Sequence, residues 1–347
     1  MRYSRVALAA IGYELAPHVV STAELEARIA PVYAALGIPG GQVEALTGIC
    51  ERRLWEPGQD MATPAARAAG EALASAGVSA AEIGSVVYAG VNRDNLEPAT
   101  ACAVADALGV APECDVHDIS NACLGVMTGI VNAADAIESG RIGVALVVSA
   151  ESCRDIVDST IARLLARPGD MDLFRKSIAT LTGGSGAVAA VVVRADHPAA
   201  RHRMVAAVHR TAPRHHRLCR WGGEHGILGV APQVMETDAP EVLRHGVALG
   251  VDTYRALLAE AGWPADPPPK TICHQVGSAH RTTILKAFGV PPENDFTTFE
   301  HLGNIGTVSL PMTAAIADER GAIAAGDRVV FSGIGSGLNC LSLAFQW

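Results

Sequence analysis

Cys123 is the residue of this sequence best suited to act as a nucleophile. It follows the strand-like run Asp115-Val-His-Asp-Ile and a sharp turn predicted at Ser120 and Asn121, and it begins a helix predicted over 122–139. Unpaired N–H groups at a helix start favour negative charge, so we expect them to lower the thiol pKa and to stabilise an oxyanion during attack on a thioester. On local pattern alone simple burial is the stronger interpretation, because free cysteine is among the most buried residue types.

Two polar residues of the second half are candidates to act on the same carbonyl group. His274 follows the strand-like run Thr271-Ile-Cys and precedes Gly277, so we expect it at the carboxyl end of a strand, where α/β sheets bind ligands. Asn304 lies in the glycine-flanked loop Gly303-Asn-Ile-Gly. An imidazole and an amide could donate two hydrogen bonds to one thioester oxygen and stabilise an enolate. Each also has a structural alternative, a satisfied strand-end histidine or an ordinary turn.

Short apolar runs alternate with Ala-rich stretches of helical period, a pattern typical of buried parallel strands joined by crossover helices. Strands are predicted at 5–11, 84–91, 115–119, 143–150, 186–193, 204–210, 270–273, 328–334 and 339–345. Helices are predicted at 22–36, 61–76, 99–108, 122–139, 241–261, 279–288 and 307–318. A Pro-containing connector, Ala195 to Arg203, divides this pattern. We therefore expect an α/β fold of two similar halves, 1–195 with the cysteine and 196–347 with the histidine and asparagine.

Composition excludes several classes of protein. A formal net charge of −9 disfavours nucleic-acid partners and anionic membranes. The eight cysteines show neither C-x-x-C pairs nor zinc-type spacing, which predicts no metal site and a reducing, cytoplasmic location. The apolar run from Val6 to Gly12 is too short for a typical signal peptide, and no run reaches the roughly eighteen residues that a bilayer requires. We expect a cytoplasmic protein without membrane insertion.

Three motifs resemble, in order, the Cys-His-Asn site of the β-ketoacyl-ACP synthase III branch of the thiolase superfamily. They are Ser120-Asn-Ala-Cys123-Leu-Gly, His274-Gln-Val and Gly303-Asn304-Ile-Gly. The chain is still more similar to the OleA family, which condenses two long-chain acyl-CoAs head to head. That likeness extends from Arg52-Arg-Leu-Trp to Gly335-Ser-Gly-Leu-Asn-Cys.

The resemblance implies a five-layered αβαβα thiolase fold, an obligate homodimer, and a ping-pong reaction in which Cys123 carries the first acyl group. The backbone N–H groups of Cys123 and Ser336 would form the oxyanion hole. Coenzyme A or acyl carrier protein (ACP) thioesters would be substrates, and no cofactor is implied.

Glu97 is the most discriminating residue of this resemblance. The segment from Arg93 to Thr100 is similar to the OleA segment whose glutamate reaches the partner subunit's site and serves there as a base. Condensation without decarboxylation must remove an α-proton and therefore needs such a base. The alternative is that Glu97, beside Pro98, caps the helix that follows.

A basic stretch from Arg201 to Arg220 contains six arginines and no acidic residue. Arg214, Arg217 and Arg220 are candidates to contact the phosphates of coenzyme A, although such a run is more often a solvated loop. Its histidines lack regular ligand spacing, so we predict no metal there. The loop 212–226 matches no pattern.

The leading hypothesis is a non-decarboxylative Claisen condensation of two acyl-CoAs to a β-keto acid or its thioester. One alternative is a decarboxylating 3-oxoacyl-ACP synthase III that uses malonyl-ACP or malonyl-CoA. However, Val276-Gly277 stands where a malonyl-using synthase would usually have Ala-Asn. A second alternative is an acyl thioester hydrolase, because water can release the same acyl-cysteine. Acyl-chain length and the choice of carrier stay open.

Overall fold

The computed structural model describes residues 1–223 and 233–347. Its strands are β1 (Val6–Leu15), β2 (His18–Ser21), β3 (Glu51–Leu54), β4 (Ser85–Tyr88), β5 (Asp115–Asp118), β6 (Val144–Glu151), β7 (Gly186–Arg194), β8 (His202–Thr211), β9 (Cys219–Gly223), β10 (Gln233–Thr237), β11 (Lys270–Cys273), β12 (Arg328–Gly335) and β13 (Asn339–Gln346). Its helices are α1 (Thr22–Ala27), α2 (Ala30–Leu36), α3 (Gln42–Thr47), α4 (Ala62–Ala76), α5 (Thr100–Leu108), α6 (Gly125–Glu138), α7 (Arg154–Ala166), α8 (Met171–Leu181), α9 (Ala239–Ala261), α10 (Ser278–Phe288), α11 (Phe299–Leu302) and α12 (Ser309–Glu319). None of these helices has the length and hydropathy needed to cross a bilayer.

Within the described ranges, nine strands form one sheet in the order β11-β12-β13-β8-β1-β7-β6-β4-β5. They are the nine strands predicted from the sequence, so that prediction is confirmed. Every residue of β6 and all but the last residue of β7 are buried, which explains why these strands are continuous Val- and Ala-rich runs. The two-stranded sheets β2–β3 and β9–β10 and the helices α7 and α8 were not predicted.

The sheet has two parts with the same strand arrangement. In the first part β4 pairs in parallel with β6, β6 antiparallel with β7, and β7 antiparallel with β1. In the second part β11, β12, β13 and β8 repeat these pairings in the same order and sense. The parts meet where Ala7 and Leu8 of β1 pair with Arg203 and His202 of β8. The predicted boundary at 195/196 falls in the link between β7 and β8, and the division into two domains stays a prediction.

Three hydrophobic clusters define five layers. Helices α6 and α12 lie between the two parts of the sheet and pack against Val147 and Val188 of the first part and Phe331 and Leu343 of the second. Helices α4 and α5 cover the outer face of the first part. Helices α9 and α10 cover the outer face of the second part. The order is therefore helix, sheet, helix, sheet, helix, and the expected five-layered arrangement is confirmed.

Helix α6, which follows Cys123, is buried on nearly all sides, as its apolar sequence predicts. It approaches β6 closely at Gly129, where an added Cβ would lie 2.5 Å from a methyl group of Val147. The helix begins at Gly125, three residues later than predicted, because a 3-10 turn over Ala122–Leu124 precedes it. The helix predicted over 22–36 is divided into α1 and α2.

Candidate active site

Cys123 sits on a strained turn between β5 and α6. Its predecessor Ala122 has φ of 46°, the one non-glycine residue with positive φ among those that the structure describes. The predicted turn at Ser120 and Asn121 therefore has its sharpest point one or two residues later. Thr307 fixes the start of α6, because its hydroxyl accepts a 2.7 Å hydrogen bond from the N–H of Val126. Cys123, directly after this turn, lines a cavity.

Cys123, His274, Asn304 and Ser336 line one cavity, although the four come from distant parts of the sequence. The space within it, including its open mouth, is about 830 Å³. Its walls are mainly apolar and are formed by Ala179, Met235, Val242, Leu243, Ile284, Phe288 and Ile334, among others. A cavity with few polar groups around a reactive thiol suits a hydrocarbon chain joined to a thioester.

Asn304 is oriented by the main chain on three sides. Its N–H donates to the Thr182 carbonyl at 2.9 Å, and its own carbonyl accepts from the Gly184 N–H at 2.9 Å. Its side-chain Oδ1 accepts from the Gly306 N–H at 3.0 Å. Gly303 permits this approach, since its φ is 68° and an added Cβ would lie 2.5 Å from the Thr182 oxygen. The anchored oxygen leaves the Nδ2 group of Asn304 to donate hydrogen bonds.

His274 lies at the carboxyl end of β11, as predicted, and its N–H donates to the Ser332 carbonyl at 3.0 Å. The side chain is 9% exposed. Burial and the neighbouring His280 lower the pKa of His274 to about 4. The imidazole is therefore neutral at pH 7 and can donate one hydrogen bond without carrying charge.

Two backbone N–H groups complete the polar edge of the cavity. Cys123 and Ser336 both line the cavity, and their N–H groups are the candidate donors. The two chain segments are close, because an added Cβ on Gly335 would lie 3.6 Å from the Cys123 nitrogen. This arrangement is consistent with the predicted oxyanion hole.

The predicted lowering of the Cys123 pKa is wrong for this structure. Burial, together with nearby Cys219 and Glu151, raises the pKa of the thiol to about 12. The backbone N–H of Cys123 lowers the pKa by less than burial raises it, and helix α6 begins only two residues later. The resting group is therefore a thiol, and its proton must leave during attack.

Glu97 does not line the cavity of its own chain. It is exposed, as is the neighbouring Leu96 at 79%. The interpretation of Glu97 as a helix cap is wrong, because Asp118 accepts the N–H groups of Thr100 and Ala101, each at 2.9 Å, at the start of α5. Glu97 therefore does not cap α5.

The three candidate phosphate contacts are near the cavity but not in it. Arg214, Arg217 and Arg220 are exposed, on the turn after β8 and at the start of β9. Cys219, between two of them, lines the cavity. Of the unassigned loop 212–226, residues 224–226 lie outside the described residues. No group of side chains within the described residues could hold a metal ion.

Sequence reasoning missed His280, Cys219 and Glu151. His280 and Cys219 line the cavity. Glu151 ends β6 and is only 2% exposed, and burial raises the pKa of its carboxyl to about 7. The signal for Glu151 was present in the sequence, because a carboxylate at the end of a largely apolar, buried strand must find partners.

The chain is similar to known condensing enzymes along its whole length. Residues 117–211 match the family 3-oxoacyl-[acyl-carrier-protein] synthase III, and residues 258–347 match the C-terminal family of the same enzymes. Acyl-CoA:acyl-CoA alkyltransferases of Shewanella oneidensis and Xanthomonas campestris are 49% and 33% identical, over 100% of both chains in each case. A β-ketoacyl-[acyl-carrier-protein] synthase III of Rhodobacter capsulatus is 29% identical over 99% of both chains.

Solved structures agree with these sequence matches. The crystal structure of a cysteine-to-alanine variant of Xanthomonas campestris OleA has a TM-score of 0.93 and 33% identity, covering 100% of this chain and 98% of that one. A 3-oxoacyl-(acyl carrier protein) synthase III of Xanthomonas oryzae has a TM-score of 0.93 and 35% identity, covering 100% of both chains. Together with the 49% identity above, these matches identify the chain as an acyltransferase with the thiolase fold. It belongs to the acyl-CoA:acyl-CoA alkyltransferase family, the OleA group of condensing enzymes.

Proposed function

We propose that the protein joins two long-chain acyl-CoAs by a Claisen condensation without decarboxylation, with Cys123 carrying the first acyl group. The observation that carries this proposal is the apolar cavity that brings Cys123 together with His274 and Asn304. No Asp or Glu lines the cavity within the described residues, so a base for the α-proton must come from elsewhere. An exposed glutamate, Glu97, is available to a second copy of the chain.

In the first half-reaction the Cys123 sulfur attacks the carbonyl carbon of an acyl-CoA. The developing oxyanion accepts hydrogen bonds from the N–H groups of Cys123 and Ser336. The C–S bond to coenzyme A then breaks, and the proton lost by the cysteine thiol leaves with the coenzyme A thiol. The acyl chain remains in the cavity as a thioester of Cys123.

In the second half-reaction another acyl-CoA presents its carbonyl oxygen to the neutral His274 and to the Nδ2 group of Asn304. The partner subunit's Glu97 removes an α-proton, and the two donors stabilise the enolate that results. The enolate carbon attacks the acyl-Cys123 carbonyl, a C–C bond forms, and the sulfur leaves. The product is a β-ketoacyl thioester, which hydrolysis converts to the β-keto acid.

The proposal includes a homodimer, acyl-CoA substrates and no resident cofactor. We keep coenzyme A as the carrier because Arg217 and Arg220 flank Cys219, which lines the cavity, and Arg214 lies on the preceding turn; ACP stays the alternative. All eight cysteines are free, which supports a reducing, cytoplasmic location.

Two other functions compete with this one. A decarboxylating synthase is favoured by the full-length similarity to the Rhodobacter capsulatus synthase III and would need no Glu97. A thioester hydrolase would need only the first half-reaction and water.

The test is to incubate the purified protein with one long-chain acyl-CoA and no malonyl donor. Mass spectrometry should detect a β-keto acid of doubled chain length, or the ketone formed when it loses CO₂. Coupled product that forms only after addition of a malonyl thioester would instead identify a chain-extending synthase. Free fatty acid alone, with or without the malonyl donor, would identify a hydrolase.

A further inference from the structure

Glu151 is a buried carboxylate to which the proposed reaction assigns no step. Its two oxygens accept hydrogen bonds from consecutive backbone N–H groups, that of Val91 at 2.8 Å and that of Asn92 at 3.1 Å. These two residues begin the segment that carries Glu97. Glu151 therefore fixes the main chain at one end of this segment.

Asn92 is held by further contacts to the end of β6. Its side-chain oxygen accepts from the N–H of Ser152 at 3.1 Å. Its carbonyl lies 2.7 Å from the hydroxyl of Tyr88, which also lies 2.8 Å from the carbonyl of Ala150. The N–H, the carbonyl and the side chain of Asn92 all have partners, so the position of this residue is strongly determined.

Asp94 and Thr100, on either side of Glu97, are also held by hydrogen bonds. The carboxylate of Asp94 accepts the N–H groups of Met61 at 2.6 Å and Ala62 at 3.0 Å, at the start of α4. The N–H of Asp94 donates to the Thr100 hydroxyl at 3.2 Å. Between these two anchored ends, residues 95–98 are exposed. The segment thus forms an arch, defined here as residues 91–100, that displays Glu97 outward.

Glu151 also lies near the cavity of its own chain. An added Cβ on Gly306, beside Asn304, would lie 3.6 Å from the Glu151 carboxyl carbon. Glu151 could therefore act on Cys123 of the same chain or on the arch. Direct hydrogen bonds favour the arch, since Glu151 has two to its backbone and none to Cys123 among the described residues.

We propose that Glu151 is a positioning residue for Glu97, and that through Glu97 it serves the active site of the partner subunit. This inference rests on the proposed function, in which Glu97 acts across a homodimer. A base must be held within a few tenths of an ångström of its proton, so a shift of the arch should slow condensation and leave acylation of Cys123 intact.

The first test is Glu151→Gln, which replaces one accepting oxygen by an NH₂ group facing a backbone N–H. We expect condensation to fall about 10- to 100-fold, while the burst of free coenzyme A from acylation keeps its amplitude. Glu138→Gln is the matched control, because Glu138 accepts the backbone N–H groups of Ser4 and Arg5 at the far end of α6. The control should keep full activity. Loss of the acylation burst in a folded Glu151→Gln protein would overturn the proposal.

Heterodimers purified with two different tags separate the two roles of Glu151. A Cys123→Ala chain paired with a Glu151→Gln chain should condense at about half the wild-type rate, because its one working cysteine receives an intact arch from the partner. A chain with both substitutions paired with a wild-type chain should condense at about half the rate of the Glu151→Gln homodimer, because its one working cysteine receives the altered arch. The reverse pattern would mean that Glu151 acts on the cysteine of its own chain, and would overturn the proposal.

A third heterodimer, Cys123→Ala with Glu97→Ala, tests the proposed function separately. If this pair is inactive while both chains fold, Glu97 does not act across the dimer, and the proposed role of Glu97 fails first. If Glu151→Gln does not fold, Asn92→Ala takes its place, since it removes only the bond from Ser152. It should show the same heterodimer pattern with a smaller loss, and equal loss in both pairings would overturn the proposal.

Discussion

The cavity beside Cys123 and the arch that carries Glu97 each present polar groups for reaction, and the chain builds them in opposite ways. In the cavity the polar groups are few and sit among apolar walls, with the unused hydrogen-bonding atoms of Asn304 satisfied by backbone. In the arch the backbone is anchored at both ends and the side chains of Leu96 and Glu97 face outward. In the cavity, burial sets the pKa values of Cys123 and His274. In the arch, anchoring of the backbone orients the exposed Glu97.

The cavity of one chain does not need to contain the base for the reaction. A charged carboxylate inside the cavity would be costly to bury and would raise the pKa of Cys123 further. Supplying the base from a second copy of the chain keeps the carboxylate in water until the two chains associate. The proposed homodimer would then be needed for condensation but not for acylation.

The largest loss of activity is expected from Cys123→Ala, in the cavity. Without the sulfur no acyl-enzyme can form, so acylation and condensation should both fall by at least about 10³-fold. Intact-protein mass spectrometry after addition of acyl-CoA should show no added acyl group. Cys50→Ala, at an exposed cysteine, is a suitable control. An acyl group retained by the Cys123→Ala protein would place the nucleophile elsewhere.

The next largest effect is expected at the arch, from Glu97→Gln. Loss of the base should slow condensation about 10²- to 10³-fold and leave the acyl-enzyme detectable by mass. Glu113→Gln, at an exposed carboxylate before β5, should have no effect. Equal loss of acylation and condensation in Glu97→Gln would mean that Glu97 does not act in condensation alone.

Asn304→Asp tests whether the Nδ2 group of Asn304 donates to the enolate. The variant keeps an oxygen for the Gly306 N–H but loses the NH₂ group, so condensation should fall about 10²-fold. The product formed from acyl-CoA can be quantified by mass spectrometry, with circular dichroism as the check on folding. Unchanged condensation would mean that His274 and the backbone suffice to stabilise the enolate.

The pH dependence of alkylation tests whether burial controls Cys123. Because its pKa is raised to about 12, the thiolate fraction at neutral pH is small and should grow with pH. The rate of iodoacetamide reaction at Cys123 should rise about tenfold per pH unit between about pH 7 and pH 10, followed by peptide mass spectrometry. A rate that levels off below about pH 8 would show that the helix start lowers the pKa after all.

The smallest effect is expected from the basic turn. Replacing Arg214, Arg217 and Arg220 together by alanine should raise KM for acyl-CoA several-fold, to roughly 3–10 times its value, and leave kcat unchanged, because exposed ion pairs contribute little each. The effect should shrink at high salt. Arg141→Ala, at an exposed arginine after α6, is the control. An unchanged KM would mean that the three arginines do not contact acyl-CoA.

The sequence by itself determined the nine strands of the main sheet and the family. Strands that are buried between layers of helices are continuous apolar runs, and this local pattern does not depend on the rest of the chain. For that reason β6 and β7 can be predicted from their own residues. The motifs around Cys123, His274 and Asn304 are local as well, and this is why they could be named before their mutual position was known. The short strands β2, β3, β9 and β10 and the helices α7 and α8 lack such a clear period and were missed.

Only the tertiary structure decided what depends on distances between remote residues. It brings Cys123, His274 and Asn304 to one cavity, and it encloses the thiol so that burial outweighs the helix start in setting the pKa. It assigns the cap of α5 to Asp118 and leaves Glu97 exposed. A hydrogen bond or a desolvated group is defined by the atoms around it, and no local pattern of residues specifies which distant segment will supply those atoms.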